Sequence, residues 1–349
     1  MRTLVAVSLA AFGAVALASG NPAIAGADKI TIDVASTFPG DMPVLGDVSR
    51  GLPEKVFRAS GGEIVLKFHE PGVLVPAAET VNAVASGKVT AAWAGAGWFA
   101  AKDSAFNMFS SVPFGPGIGE YLAWLYRGGG LETAREMFHQ HGVHNIPCAL
   151  IPAEASGWFQ KEIKSVDELK GLRMRFFGLG AKVMQKLGVQ TVQLPPGEIL
   201  EALKTGAIDA TEFSLPAMDR PLGFHTVAKF YYFPGWHQQA TFFDLYINKK
   251  VWDALPDRHK AVIELACGDT VRETIADGEA SQWKAMKEMQ AEGVRLKRWA
   301  PEILVAFDNA WKEVVAEESA KNPNFRRIFE SYSAFRENYA IWRHFNYLQ

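Results

Sequence analysis

One segment of the chain occurs twice, and this repeat limits the fold more than any other feature. Residues 79–91 match residues 198–210, with Glu, Ala, Gly and a final Ala at the same spacing. Each copy reads as a short helix stopped by a glycine, Gly87 or Gly206, which can take the left-handed cap conformation. A short strand follows and runs into a new loop, with Trp93 in the first copy and Glu212-Phe213 in the second. Helix, glycine and strand is a common succession, so the repeat gains weight from its surroundings. Two such units imply two similar α/β lobes. In open α/β sheets ligands bind beyond the carboxyl ends of the strands, so two lobes face to face enclose a cleft.

The rest of the chain fits this plan. Ile30, Ile32 and Val34 alternate as a half-buried strand, a helix runs to about Ser60, and residues 63–68 form a second strand. Strand, helix, strand is the opening of an α/β sheet. The expected organisation is a lobe over 26–151, completed by about 240–256, and a second lobe over 152–239, completed by parts of 295–349. A proline-free helical stretch over about 257–293 is roughly 50 Å long at 1.5 Å per residue, enough to pass along both lobes. The aromatic run from Tyr231 to His237 must turn at Pro234-Gly235. No Pro-, Gly- or Ser-rich linker separates the lobes, so the chain is expected to cross between them more than once.

The N-terminus carries an address. Arg2, an apolar run from Leu4 to Ala18, and Ala23-Ile24-Ala25 read as a secretory signal peptide, residues 1–25, cut before Gly26. The mature protein is therefore expected outside the cytoplasm, in a periplasm if the source is Gram-negative. That compartment permits a disulfide, and Cys148 and Cys267 are the two cysteines of the chain. Their separate apolar settings are read as two separately buried thiols. A net charge of −2 with no long basic run gives a nucleic-acid partner no support. His139, His141 and His144 have the wrong spacing for a helical zinc pair and read as a fraying helix end. Nucleotide loops and the Gly-x-Ser-x-Gly elbow are absent.

Residues 172–176 alternate as a strand and place Arg173 and Arg175 on one face. Either guanidinium could hold a carboxylate by two parallel hydrogen bonds, and the local pattern does not choose between them. Glu212, at a strand end beside Phe213, could bind a cation or a hydroxyl. Glu154, Gln238 and Gln239 are polar residues close to aromatic turns.

At these residues the chain resembles a solute-binding protein of the TRAP (tripartite ATP-independent periplasmic) transporters. The resemblance spans about 30–342 and is most specific at Gly157-Trp158-Phe159, residues 169–175, Leu187-Gly188, residues 202–206 and residues 209–212. The run Tyr231 to His237 points to the branch binding 2-oxo and 2-hydroxy monocarboxylates such as pyruvate and lactate. The resemblance implies a two-lobed, periplasmic-binding-protein-like α/β fold, no enzymatic activity, and delivery of a small carboxylate to membrane subunits. It selects Arg175 as the carboxylate-binding arginine, and places Trp93, Phe213 and Trp236 as aromatic cover for the ligand. It also implies a bridging Na⁺ or Ca²⁺ held by Glu212, the backbone oxygen of Phe213, and the positions of Glu154 and Gln238. There the chain departs from the branch: Glu stands at 154 where a Gln is usual, and Gln at 238 where an acid is usual. The carboxylate count is unchanged, so the cation site is expected to survive with its charge relocated. The short ending at Gln349, compared with members that swap a longer C-terminal helix, favours a monomer. An exported hydrolase acting on a carboxylate and an extracellular sensor module are the alternatives.

Overall fold

A computed structural model describes residues 29–346; the predicted signal peptide lies outside them. Eleven strands occur among the described residues: β1 (Ile30–Ser36), β2 (Ile64–His69), β3 (Ala91–Ala94), β4 (Val143–Ile151), β5 (Gly157–Phe159), β6 (Arg173–Arg175), β7 (Gln190–Val192), β8 (Ala210–Thr211), β9 (Phe230–Phe233), β10 (Thr241–Asn248) and β11 (Arg295–Arg298). They form two sheets, ordered β2-β1-β3-β10-β4 and β11-β9-β5-β8-β6-β7.

The sequence repeat is a repeat of topology. In the first sheet β1 lies parallel to β2 and β3, and β3 runs antiparallel to β10. In the second, β6 lies parallel to β7 and β8, and β8 runs antiparallel to β5. β3 and β8 therefore hold the same seat in their sheets. Each is preceded by the repeated helix, Thr80–Ala85 or Pro196–Lys204, and by a glycine at positive φ, 76° at Gly87 and 70° at Gly206. A side chain with Cβ is disfavoured there. In β1, Thr31 is exposed while Ile32 and Val34 are buried, as alternation requires. β4 is buried along its whole length and β10 along all but its last residue, Asn248, because helices or the other strands cover both their faces.

Each lobe borrows a strand from the far side of the chain. The chain leaves β4 for β5 through residues 152–156 and returns from β9 to β10 through residues 234–240. These two crossings bond to one another: Glu154 N–H donates to Gln238 O at 3.1 Å, and Gly235 N–H donates to Glu154 O at 2.9 Å. They lie so close that a Cβ on residue 235 would stand 2.2 Å from the Glu154 oxygen, which accounts for glycine at that position. The long helix, Asp257–Ala291, packs on β4 and on the helix Leu45–Ala59 of the first lobe, and on Pro216–Leu222 of the second. No helix of the described residues is long and apolar enough to cross a membrane. Between β3 and β4 the sequence reading specifies only a helix end near His139. The structure places the helices Ile118–Arg127 and Gly130–Gln140 there, the second ending at His141.

The cysteine expectation is corrected. Cys148 on β4 and Cys267 on the long helix form a disulfide, with Cα atoms 4.2 Å apart. Both thiols sit in buried apolar stretches, as read, but burial periodicity does not say which buried faces meet. The helix lies directly across β4, where the Thr270 hydroxyl donates to Cys148 O at 2.7 Å. The bridge closes a sequence separation of 119 residues. In the chain-entropy account such a loop contributes about 3–5 kcal/mol. Replacing both cysteines with serine is expected to lower stability by that order, measured as the shift in urea midpoint against the oxidised protein; an unchanged midpoint contradicts it.

Candidate functional site

A small, partly open cavity lies between the lobes, where the crossing segments meet the strand ends. It is lined by aromatic and aliphatic side chains from both lobes and by four polar residues, Glu154, Arg175, Ser214 and Gln238. Four of its aromatic walls share an origin. Phe38, Trp98, Phe177 and Phe213 each lie within four residues beyond the C-terminal end of a parallel strand, β1, β3, β6 and β8 respectively. This is the position where open α/β sheets bind ligands. Trp98 of the first lobe meets Phe177 of the second with ring centroids 5.5 Å apart, so the aromatic walls touch across the cleft.

Arg175 ends β6 and is 2% exposed. Its Nε donates to Leu194 O at 3.1 Å, and its Nη1 donates to Glu212 O and Glu212 Oε2, both at 2.8 Å. Nη2 makes no hydrogen bond among the described residues. The planar group lies over the Phe213 ring, 5.4 Å from its centroid. Arg173, its rival in the alternation, points elsewhere: it is exposed and forms a fork with Asp209, at 3.0 and 2.6 Å. β6 is only three residues long; Arg173 stands at its exposed start and Arg175 at its buried end, beside Thr211 and Val192.

The two buried acids are each anchored by one oxygen. Glu212 Oε2 accepts from Arg175 and from Phe177 N–H, the latter at 3.0 Å. Glu154 Oε1 accepts from the Ser214 hydroxyl at 3.1 Å. Their other oxygens, Glu212 Oε1 and Glu154 Oε2, turn towards a common point beside His237 Nε2, which stands 3.5 and 3.8 Å from them. Gln238 completes the cluster. With its amide nitrogen turned to the acids it donates to Glu154 Oε2 at 2.8 Å and Glu212 Oε1 at 3.2 Å. Its oxygen then accepts from Ser111 and Thr241, each at 3.1 Å. The Phe213 carbonyl has no hydrogen-bond partner among the described residues.

Burial pushes the Glu154 carboxyl well above the usual carboxylate range; the nearby Glu212 and Asp219 charges add to the push, against the Ser214 hydrogen bond and Arg175. Asp219 stands behind Ser214 and accepts from Trp158 Nε1, Tyr231 OH and Ser214 N–H at 2.8, 2.8 and 3.0 Å. Burial raises it to about 7 despite the Trp158 and Tyr231 bonds. One guanidinium against the two acids, Glu154 and Glu212, leaves an excess negative charge out of water. Such a charge is expensive unless paired, so the cluster calls for a proton or a cation. Glu154, Glu212 and His237 bring their ligand atoms within 4.8 Å of one another. With the Gln238 amide reversed, its oxygen joins the two free carboxylate oxygens, giving the all-oxygen surroundings that Na⁺ and Ca²⁺ prefer. The donor set therefore fits the cation that the resemblance implies.

Two aromatic expectations are corrected. Trp93 lies within β3, fully buried, with Nε1 donating to Leu45 O at 3.1 Å; it packs behind Phe38 and Phe243 and does not line the cavity. A residue inside a strand faces the core, whereas the loop beyond it delivers Trp98. Trp236 packs on Phe176 and Phe307, away from the cavity wall. The sequence reading also gives no role to Phe38, Trp98, Phe177, Ser214 or His237. Strand ends would have found the first three, since each follows a parallel strand directly. Ser214 and His237 carry no local signal, because their roles depend on which loops meet.

Comparison with known proteins shows the fold and the family. Residues 35–322 match the model of the bacterial extracellular solute-binding proteins, family 7. The chain is 34% identical over 295 residues to a monocarboxylate 2-oxoacid-binding periplasmic protein of a Nostoc species, covering 84% of this chain and 81% of the relative. A TRAP transporter solute-binding protein from Bordetella bronchiseptica, solved as a dimer with calcium and picolinate in one active site, superposes with a TM-score of 0.89 at 31% identity, covering 92% of this chain and 95% of that one. A TRAP periplasmic solute-binding protein from Pseudoalteromonas atlantica, solved with sodium and pyruvate, gives 0.88 at 29% identity, covering 91% and 97%. The chain belongs to family 7 of the bacterial extracellular solute-binding proteins, the receptors of TRAP transporters.

Proposed function

We propose that this receptor captures a short 2-oxo or 2-hydroxy monocarboxylate, such as pyruvate or lactate, together with Na⁺ or Ca²⁺. The observation that carries the reading is that Arg175, Glu154 and Gln238 line one small cavity, with Glu212 bonded to Arg175 at 2.8 Å behind its wall and with ligand atoms of Glu154, Glu212 and His237 within 4.8 Å of one another. Arg175 takes the ligand carboxylate; Glu154, Glu212, Gln238 and the Phe213 carbonyl hold the cation. Phe38, Trp98, Phe177 and Phe213 cover the apolar end. A ligand carboxylate doubles the excess negative charge of Arg175, Glu154 and Glu212, and a divalent cation cancels it. The ligands of the two solved relatives suit this arrangement, since pyruvate and picolinate both carry a donor atom next to the carboxylate.

The cavity is small, about 30 Å³, which favours a short acid over a long one. Binding needs no covalent step, so the acid leaves unchanged. The paired crossings between the lobes provide the hinge for closure. Export by the N-terminal signal peptide places the receptor in the periplasm, where the closed form meets the membrane subunits of its transporter.

A thermal-shift screen of short carboxylates against metal-stripped protein tests the reading. A ligand at a hundred times its dissociation constant adds about 2.7 kcal/mol of apparent stability. Pyruvate or lactate with Ca²⁺ or Na⁺ is expected to raise the melting temperature, and longer dicarboxylates are not. A screen in which no short monocarboxylate shifts the transition, with or without either cation, contradicts it.

A further inference from the structure

Gln238 sits on the second crossing, 3% exposed, with its amide between two unlike environments. On one side are Glu154 Oε2 and Glu212 Oε1, at 2.8 and 3.2 Å; on the other are the hydroxyls of Ser111 and Thr241, each at 3.1 Å. The hydroxyl side is indifferent to the amide's orientation, because a hydroxyl can donate or accept. It accepts from Nε2 as readily as it donates to the oxygen: in the reversed orientation Gln238 Nε2 donates to Thr241 Oγ1 at 3.1 Å. The carboxylate side is not indifferent. Ionised carboxylates only accept, so they require the amide nitrogen unless something positive stands between them and an amide oxygen.

We propose that the Gln238 amide turns over when a cation binds. Its NH₂ end bridges Glu154 and Glu212 in the cation-free receptor, and its oxygen end ligates the cation in the loaded one. This rests on the cation reading above. In the cation-free state the two N–H bonds satisfy the inward oxygens and hold the acids in ligating positions. On loading, the same side chain rotates about its last bond and the nitrogen moves to the Thr241 hydroxyl, so the amide keeps a partner at each end in either state. A carboxylate at 238 could not do this. It would bring a third acceptor against two acids and would depend on the cation for its stability. The Glu and Gln exchanged between positions 154 and 238 thus place the reversible group opposite the Thr241 hydroxyl, which pairs with the amide in both orientations.

Solution NMR of the ¹⁵N-labelled mature chain tests this directly, with the Gln238 side-chain NH₂ pair assigned through its own backbone resonances. The chelated protein is titrated with CaCl₂ in the presence of pyruvate, and calcium binding is followed in parallel by calorimetry. The NH₂ pair is expected to shift in proportion to calcium occupancy as its bonds move from the carboxylates to the Thr241 hydroxyl. Calcium binding with an unmoved NH₂ pair overturns the turnover alone. Where calcium does not bind, the titration is repeated with NaCl; if neither ion binds, the cation reading falls and this inference with it. A second measurement is independent of the assignment. In Gln238→Glu the melting temperature of the chelated protein is expected to fall below that of the parent, and the gap between chelated and calcium-loaded protein to widen. A gap equal to the parent's contradicts the bridging role of the amide.

Discussion

Arg175→Met yields a folded receptor that no longer captures a carboxylate. Methionine keeps much of the side-chain length but removes every donor. The guanidinium is fixed on three sides, by Leu194 O, Glu212 O and Glu212 Oε2, so its remaining nitrogen is presented to the cavity with little freedom to lose. Removing one partner of such a buried ionic contact costs about 3–5 kcal/mol, which is a hundredfold to thousandfold in affinity. Calorimetry with pyruvate in the presence of calcium is expected to give no measurable heat. The same substitution leaves the Glu212 carboxylate with only the neutral Phe177 N–H and Gln238 amide as hydrogen-bond partners, so the cation-free melting temperature falls as well. Calcium is expected to restore part of that loss, because it supplies the missing positive charge. Arg175→Lys should bind more weakly than the parent, since a single ammonium cannot serve its protein acceptors and a ligand in one plane. Undiminished affinity in Arg175→Met contradicts the assignment.

Glu212→Gln removes the dependence on cation. The glutamine keeps an oxygen for Phe177 N–H but loses both the charge that pairs with Arg175 at 2.8 Å and one inward carboxylate oxygen. In the parent protein, stripping calcium and sodium is expected to weaken pyruvate binding by at least tenfold. In Glu212→Gln the affinity should be low and the same with and without calcium. The charge accounting explains the sign. With Glu212 neutral, Arg175 balances Glu154, and a cation has one acid fewer to hold it. A variant that still binds pyruvate more tightly with calcium places the cation elsewhere.

The architecture was legible because its carriers are local. The repeated helix, glycine and strand depend on neighbours in sequence, and they led to the same seat in two sheets. The alternation of Ile32 and Val34, and the length of the helix that proved to be Asp257–Ala291, are likewise properties of one segment. Pairings between distant segments were not legible. Cys148 and Cys267 read as two buried thiols because nothing in either segment reports that the long helix crosses β4. Trp93 looked like a loop residue because the strand around it is only four residues long; its neighbour Trp98 reaches the cavity instead. At position 175 the alternation alone offered two arginines. The structure distinguishes them by surroundings that sequence does not carry: Asp209 for Arg173, and Glu212 with the cavity for Arg175. The exchanged Glu154 and Gln238 were visible as a departure from the branch. Their meaning lies in the geometry of Ser111, Thr241 and the crossing segments, which come together only in the fold.

The measurement that bears most directly on the account is a crystal structure of the mature protein grown with pyruvate and calcium. The account predicts the acid in the cavity between the lobes, its carboxylate on Arg175 Nη2, and the ion between pyruvate, Glu154, Glu212 and the Gln238 oxygen. Pyruvate bound elsewhere, or its carboxylate held by a residue other than Arg175, would contradict it.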